Sequence, residues 1–132
     1  MKRIKIKELL QSSETGKQVN VKGWVRTKRE SKNVSFIALN DGSTIHNLQI
    51  VINSDLLLEG RMRIMRFNEF VKLNDLNDAL KDLATGACIS VTGTLIPSQG
   101  REQKVELSAE KIEILGRADA ELFPLQPKKH SL

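Results

Sequence analysis

The 132 residues carry 21 Lys and Arg against 16 Asp and Glu, a formal net charge of +5, with 39% apolar and 28% charged side chains. That length suits one domain that buries roughly two-thirds of its unfolded surface, and no apolar run approaches the roughly 20 residues a membrane span needs, which predicts a soluble protein with no membrane partner. The basic N-terminal stretch lacks an apolar core followed by a small-residue cleavage site, so no signal peptide and a cytoplasmic location are expected. Cys88 is the one cysteine, which excludes an internal disulfide and a cysteine-cluster metal site, and within "GACISV" it reads as a small buried residue. His46 and His130 stand far apart with no paired carboxylate motif, leaving nothing from which to build a metal site or a nucleophilic triad. No catalytic centre is expected in this chain. A pI near 9.5 favours an anionic partner, nucleic acid before a membrane surface.

In chain order, Ile6, Leu9 and Leu10 predict a short amphipathic helix. From Gln18 to Lys28, period-two alternation puts Val19, Val21, Gly23 and Val25 on one face and Asn20, Lys22, Trp24 and Arg26 on the other, a strand. Trp24 reads as structural, packed under a lid or the first helix. A second strand, Val34 to Leu39, sets Ile37 and Leu39 against Val34, Phe36 and Ala38, and "NDGS" (Asn40 to Ser43) then predicts a hairpin turn. A third strand, His46 to Asn53, sets Leu48, Ile50 and Ile52 against Asn47, Gln49 and Val51. The stretch 56–74 has crowded apolar residues without a clean period and reads as an insertion. Leu76, Leu80 and Leu83 then recur at helical spacing before Gly86, a plausible C-cap. Two further strands, Ala87 to Ile96 and Gln103 to Leu115, are joined by the "PSQG" turn. The tail from Arg117 has two prolines, two lysines and no periodicity, and reads as a linker leaving the domain.

The order β-β-β-α-β-β predicts an all-β fold with a helix: the five-stranded OB-fold Greek-key barrel, its helix between strands three and four, over residues 1–116. The exposed face of strands two and three in such barrels commonly binds oligonucleotides. If Ile37, Leu48 and Ile50 fill the barrel, strand parity sends Phe36 and Gln49 to the outside, and Glu106 follows from Val105 and Leu107 turning inward. A ring there can stack a base, an amide can pair with the edge of a pyrimidine, and a carboxylate accepts from an amino or imino hydrogen. Arg29 can fork onto a base oxygen or phosphate, while Lys22, Arg26, Lys28 and Lys32 would hold the backbone and make binding salt-dependent. Plainer readings stand beside these: a strand phenylalanine is most often core, Gln49 and Glu106 taken singly are ordinary solvated residues, and "VRTKRESK" is commonly a solvated hairpin. Arg29 also has the wrong parity for the exposed face unless a loop or bulge falls near Thr27.

The stretches "VKGWVRTKRESKNVSFIALNDGSTIHNLQIVI", "TGACISVTGTLIPSQGREQKVELSAEKIEILG" and "FPLQPKKHS" resemble the N-terminal anticodon-binding domain of asparaginyl-tRNA synthetases. The "GWV" strand, the spacing from Arg29 to Phe36 and the strand-three glutamine are shared with the aspartyl and lysyl enzymes, while "LNDGS" and "PLQPKKHS" are similar to the asparaginyl branch. The resemblance implies that Phe36 stacks on the middle anticodon base, that Gln49 and Arg29 recognise it as a uridine, and that Glu106 lies near an outer base, with Gln103 and Lys104 as further candidates for the outer bases. It implies tRNA(Asn) as partner through its anticodon stem-loop. A catalytic domain would follow residues 117–132, so the chain alone would be inactive. The full-length enzyme, an expected homodimer, would join asparagine to tRNA with ATP and Mg2+; this chain is expected to be a monomer and to hold no cofactor. Arg61, Arg63 and Arg66 of the insertion would either reach tRNA or sit in a segment that covers a barrel edge. A general single-stranded nucleic-acid-binding module, the equivalent aspartyl-type domain and a protein-interaction barrel using the insertion are the alternatives.

Overall fold

The computed structural model describes residues 3–12, 14–66, 68–98 and 104–117. Helix α1 (Ile6–Gln11) is followed by β1 (Gln18–Glu30), β2 (Val34–Asn40), β3 (Leu48–Asn53), helix α2 (Ser54–Leu58), β4 (Arg63–Arg66), β5 (Glu69–Phe70), helix α3 (Leu76–Asp82), β6 (Ala87–Pro97) and β7 (Val105–Arg117). The strands run β3-β2-β1-β6-β7, and β3 pairs in parallel with β7 through Ile50 opposite Leu107 and Val51 opposite Ser108. That pairing closes the sheet on itself, so five strands form a barrel, with the second half of β7 running on beyond the closure. The predicted OB-fold is the observed one.

The alternation read from the sequence is the alternation of burial. Val19, Val21, Val25, Ile37, Leu39 and Ile50 point into one core, joined by Ile89, Val91 and Leu107 from the other side of the barrel. Two glycines sit where strands pass closely. A Cβ on Gly23 would lie 2.2 Å from the Asn40 carbonyl oxygen, and one on Gly93 would lie 2.2 Å from that of Ser108, so no other residue fits without moving backbone. Trp24 pairs across the sheet with Cys88, and the two form a small buried cluster on the other side of the barrel wall, rather than packing beneath the first helix. Cys88 is buried, as expected.

Three boundaries differ from expectation, two of them for identifiable reasons. The third strand begins at Leu48 rather than His46, because the buried Asn40 amide donates to the carbonyls of Thr44 and His46 at 3.1 Å each and to Asn47 Oδ1 at 3.0 Å, holding those residues in a loop. That loop seats α1: Asp41 Oδ2 accepts from the Ile6 amide at 2.9 Å and Ser43 Oγ from the Lys7 amide at 3.0 Å. Gly86 is not the cap of α3, which ends at Asp82 with Leu83 as its C-cap. Instead Gly86, at φ 91°, donates to the Val25 carbonyl at 2.8 Å and turns the chain into β6. The last strand begins at Val105 and continues to Arg117. Residues 118–132 and Gln103 lie outside the described residues.

Residues 54–70, most of the stretch that reads as an insertion, form elements of their own. Asn53 caps α2, its side chain accepting from the amides of Asp55 at 2.9 Å and Leu56 at 3.3 Å. β4 then lies parallel to the second half of β7, Arg63 to Arg66 opposite Lys111 to Ile114, with Met62 and Ile64 buried in the core. The segment thus covers an edge of the barrel, one of the two roles expected of it. Its arginines are engaged: Arg66 pairs with Asp82 at 2.7 Å, Arg63 lies 4.2 Å from the Phe70 ring centroid, and Arg61 meets Glu59 at 3.5 Å.

Candidate nucleic-acid interface

The outer face of β1, β2 and β3 is set by one irregularity. Val25 pairs with Leu39, but the next pair is Thr27 with Ala38, so Arg26 is an extra residue in β1. Without it Lys28 would stand opposite Phe36. With it, Lys28 stands opposite the buried Ile37 and Arg29 stands opposite Phe36. The bulge required near Thr27 is therefore present, and it reverses the parity of the strand beyond it.

Phe36, half-buried, lies in the row Arg29–Phe36–Val51, and Gln49, also half-buried, in the adjacent row Thr27–Ala38–Gln49. The Arg29 guanidinium carbon sits 4.9 Å from the Phe36 ring centroid, within cation–π range, while the rest of its side chain is exposed. Glu106 reaches the same face from β7, on the far side of the closure. Its parity is as expected but its exposure is not: only 5% of it is accessible. Gln49 Nε2 donates to Glu106 Oε2, and Ser98 Oγ donates to the same oxygen at 3.2 Å. The carboxylate that reads as a free acceptor in the sequence is thus held by two side-chain donors. A ring with a guanidinium over it, an amide and a buried carboxylate form one patch.

The cations divide. Arg26, in the bulge, and Lys32, in the β1–β2 turn, are exposed. Lys22 is exposed too, but it lies opposite Ser90 on the β1–β6 part of the wall, out of the rows that hold Phe36 and Gln49. Lys28 turns to the other side of the wall, donating to the Leu80 carbonyl at 2.6 Å near the end of α3 and meeting Glu30 at 3.3 Å. Lys104 is exposed at the foot of β7, two residues before Glu106, and its carbonyl accepts from the Ser98 amide at 3.0 Å. Ser98 is the member of this patch that sequence reasoning missed; it stands in the "PSQG" turn, and only the pairing of β6 with β7 brings it to Glu106.

Two cavities, of about 460 and 440 Å3, lie at the β4–α3 junction and beside α2 and β5, and neither is lined by Phe36, Gln49 or Glu106. Phe36, Gln49 and Arg29 stand on the outer face of the sheet, where a ring, an amide and a guanidinium suit contact with unpaired bases. Among the described residues no group of three or more His, Cys, Asp or Glu side chains is placed to hold a metal ion. No helix among them is long and apolar enough to cross a membrane.

Residues 19–115 match the family described as the OB-fold nucleic acid binding domain. Over its whole length the chain is 49% identical to the asparagine–tRNA ligase of Cytophaga hutchinsonii and 51% identical to that of Parabacteroides distasonis. It spans about a quarter of the length of the curated relatives it matches, 25% and 24% for these two. Among solved structures, asparaginyl-tRNA synthetase from Pyrococcus horikoshii complexed with asparaginyl-adenylate superposes with a TM-score of 0.64 at 19% identity, over 96% of this chain and 24% of that one. At that identity the likeness is one of fold.

Proposed function

Because the chain belongs to the OB-fold nucleic acid binding domain family, we propose that its open β1–β3 face is an anticodon platform and that the chain serves as the anticodon-binding domain of an asparaginyl-tRNA synthetase. Phe36 stacks the middle anticodon base, Arg29 and Gln49 contact its edge, and Glu106 completes the patch. Arg26 and Lys32 hold the phosphate backbone and Lys104 contacts the outer bases; Gln103, the other candidate for them, lies outside the described residues. Lys22 and Lys28 contribute to the field of the domain rather than to this patch, since one lies on another part of the wall and the other is spent on α3.

Under this reading the unit that binds RNA is residues 1–116, and residues 117–132 link it to a catalytic domain. The full enzyme, a homodimer acting in the cytoplasm, joins asparagine to tRNA(Asn). ATP and Mg2+ supply the activation chemistry there, and this domain presents the tRNA.

The observation that carries the proposal is the bulge at Arg26. It places a guanidinium, a ring and an amide in adjacent rows of one face, in a chain about half identical to asparagine–tRNA ligases. The test is binding of the 132-residue chain to the anticodon stem-loop of tRNA(Asn) and to loops with the middle uridine replaced. The expected result is weak, salt-sensitive binding that favours uridine; equal affinity for all loops overturns the assignment.

A further inference from the structure

We infer that Glu106 and Ser98 are positioning residues: together they fix the Gln49 amide with its oxygen free, so that the face selects a base presenting an imino hydrogen. The inference rests on the anticodon reading above and adds to it which chemical edge is chosen and what enforces the choice.

A carboxylate offers only acceptors, whereas an amide side chain is a donor at one end and an acceptor at the other. Glu106 is nearly inaccessible, and a buried carboxylate left facing another lone pair is strongly disfavoured. The end of Gln49 that meets it is therefore Nε2, and Ser98 Oγ supplies the second donor to the same carboxylate oxygen. Because the amide is planar, committing its nitrogen toward β7 directs Oε1 away from β7. Its cross-strand neighbour on β2 is Ala38, whose methyl offers no competing donor. The oxygen is left as a hydrogen-bond acceptor one row from the Phe36 ring.

A stacking ring is nearly indifferent to base identity, so the discrimination falls to that oxygen. Uracil N3–H donates on the Watson–Crick edge, while cytosine, of the same size and shape, presents a bare N3 lone pair there. With the amide pinned, uracil makes a hydrogen bond and cytosine meets oxygen with nitrogen, two acceptors face to face. If the amide were free to rotate, its NH2 would serve cytosine as well as its oxygen serves uracil.

The experiment uses the 132-residue chain and three RNA stem-loops identical except at the middle anticodon position: uridine, cytidine and N3-methyluridine, the last keeping both carbonyls but lacking the imino hydrogen. The wild-type chain is expected to bind uridine about tenfold more tightly than either of the others, the loss that accompanies one unmade hydrogen bond in a desolvated site. In Glu106→Gln the facing side chain accepts or donates equally well, and in Glu106→Met it does neither. In both, the uridine-to-cytidine ratio is expected to fall toward one, with cytidine affinity rising, while the melting curve of the near-isosteric Gln variant shows that the barrel remains. Ser98→Ala is expected to lower the ratio part of the way. A selective wild type whose ratio is unchanged in a folded Glu106→Gln variant overturns the inference alone. A wild type that does not distinguish the three loops overturns it together with the anticodon reading.

Discussion

Lys28 and Arg29 are neighbours in sequence and lie on opposite sides of the barrel wall. Lys28 spends its ammonium on the Leu80 carbonyl; Arg29 leaves its guanidinium over Phe36. Composition treats them as two positive charges, yet their substitutions should act on different properties. Lys28→Ala removes a hydrogen bond from a charged donor at the end of α3, and a chemical denaturation curve should show a loss of about 1–2 kcal/mol in stability, with RNA affinity little changed. Phe36→Ala should do the reverse. Removing a stacking platform costs about 1–3 kcal/mol of binding, measurable by titration against an unstructured pyrimidine RNA, and the half-buried ring contributes little to the core. Equal effects of the two variants on both properties would contradict the division drawn from the register.

At the scale of elements, local patterning and local exceptions have different origins. The period-two runs of β1, β2 and β3 are written in residue type, because alternate side chains must enter one core. The extra residue at Arg26 is not: the stretch 24–30 holds no glycine or proline, and its polar residues suit either side of a strand end. Parity alone only shows that a bulge is needed for Arg29 to join Phe36. The β2–β3 connection is similar, since "NDGS" marks a turn but does not reveal that the Asn40 side chain takes hold of the Thr44 and His46 carbonyls and delays the strand. Two substitutions test this level. Asn53→Ala removes both side-chain bonds to the first amides of α2 and should cost about 0.5–2 kcal/mol in a thermal or denaturant melt, loosening the insertion while leaving the RNA face intact. Gly23→Ala, with its new methyl against the Asn40 carbonyl, should destabilise the fold by about 1–3 kcal/mol or more despite adding only one carbon.

Over the whole molecule the net charge of +5 sets the general attraction for an anion, and the barrel decides which cations can act on one ligand. Exposed Arg26 and Lys32 flank the platform strands, whereas Arg63 is held by Phe70 and Arg66 by Asp82 at the end of α3. Replacing Arg26 or Lys32 by alanine should therefore reduce the slope of log affinity against log salt by about 0.7 for each phosphate contact removed, and Arg66→Ala should leave the slope unchanged. A slope that responds equally to every arginine would mean that the field of the whole domain, not this face, holds the RNA.

The sequence alone determined the succession of the five barrel strands along the chain, their inward set, the helix before β6, and the outward parity of Phe36, Gln49 and Glu106, though not β4 and β5, because each of these follows from short-range periodicity and turn chemistry that any one segment displays by itself. The tertiary structure decided what those residues meet. Whether β3 closes on β7, whether the insertion covers the second half of β7, whether Arg29 or Lys28 stands over Phe36, and whether Glu106 is a free acceptor or the partner of Gln49 and Ser98 all depend on contacts between residues far apart in the chain. Such contacts are set by barrel closure and strand register, which no single segment encodes; the carboxylate is buried only because β3, β6 and β7 meet around it.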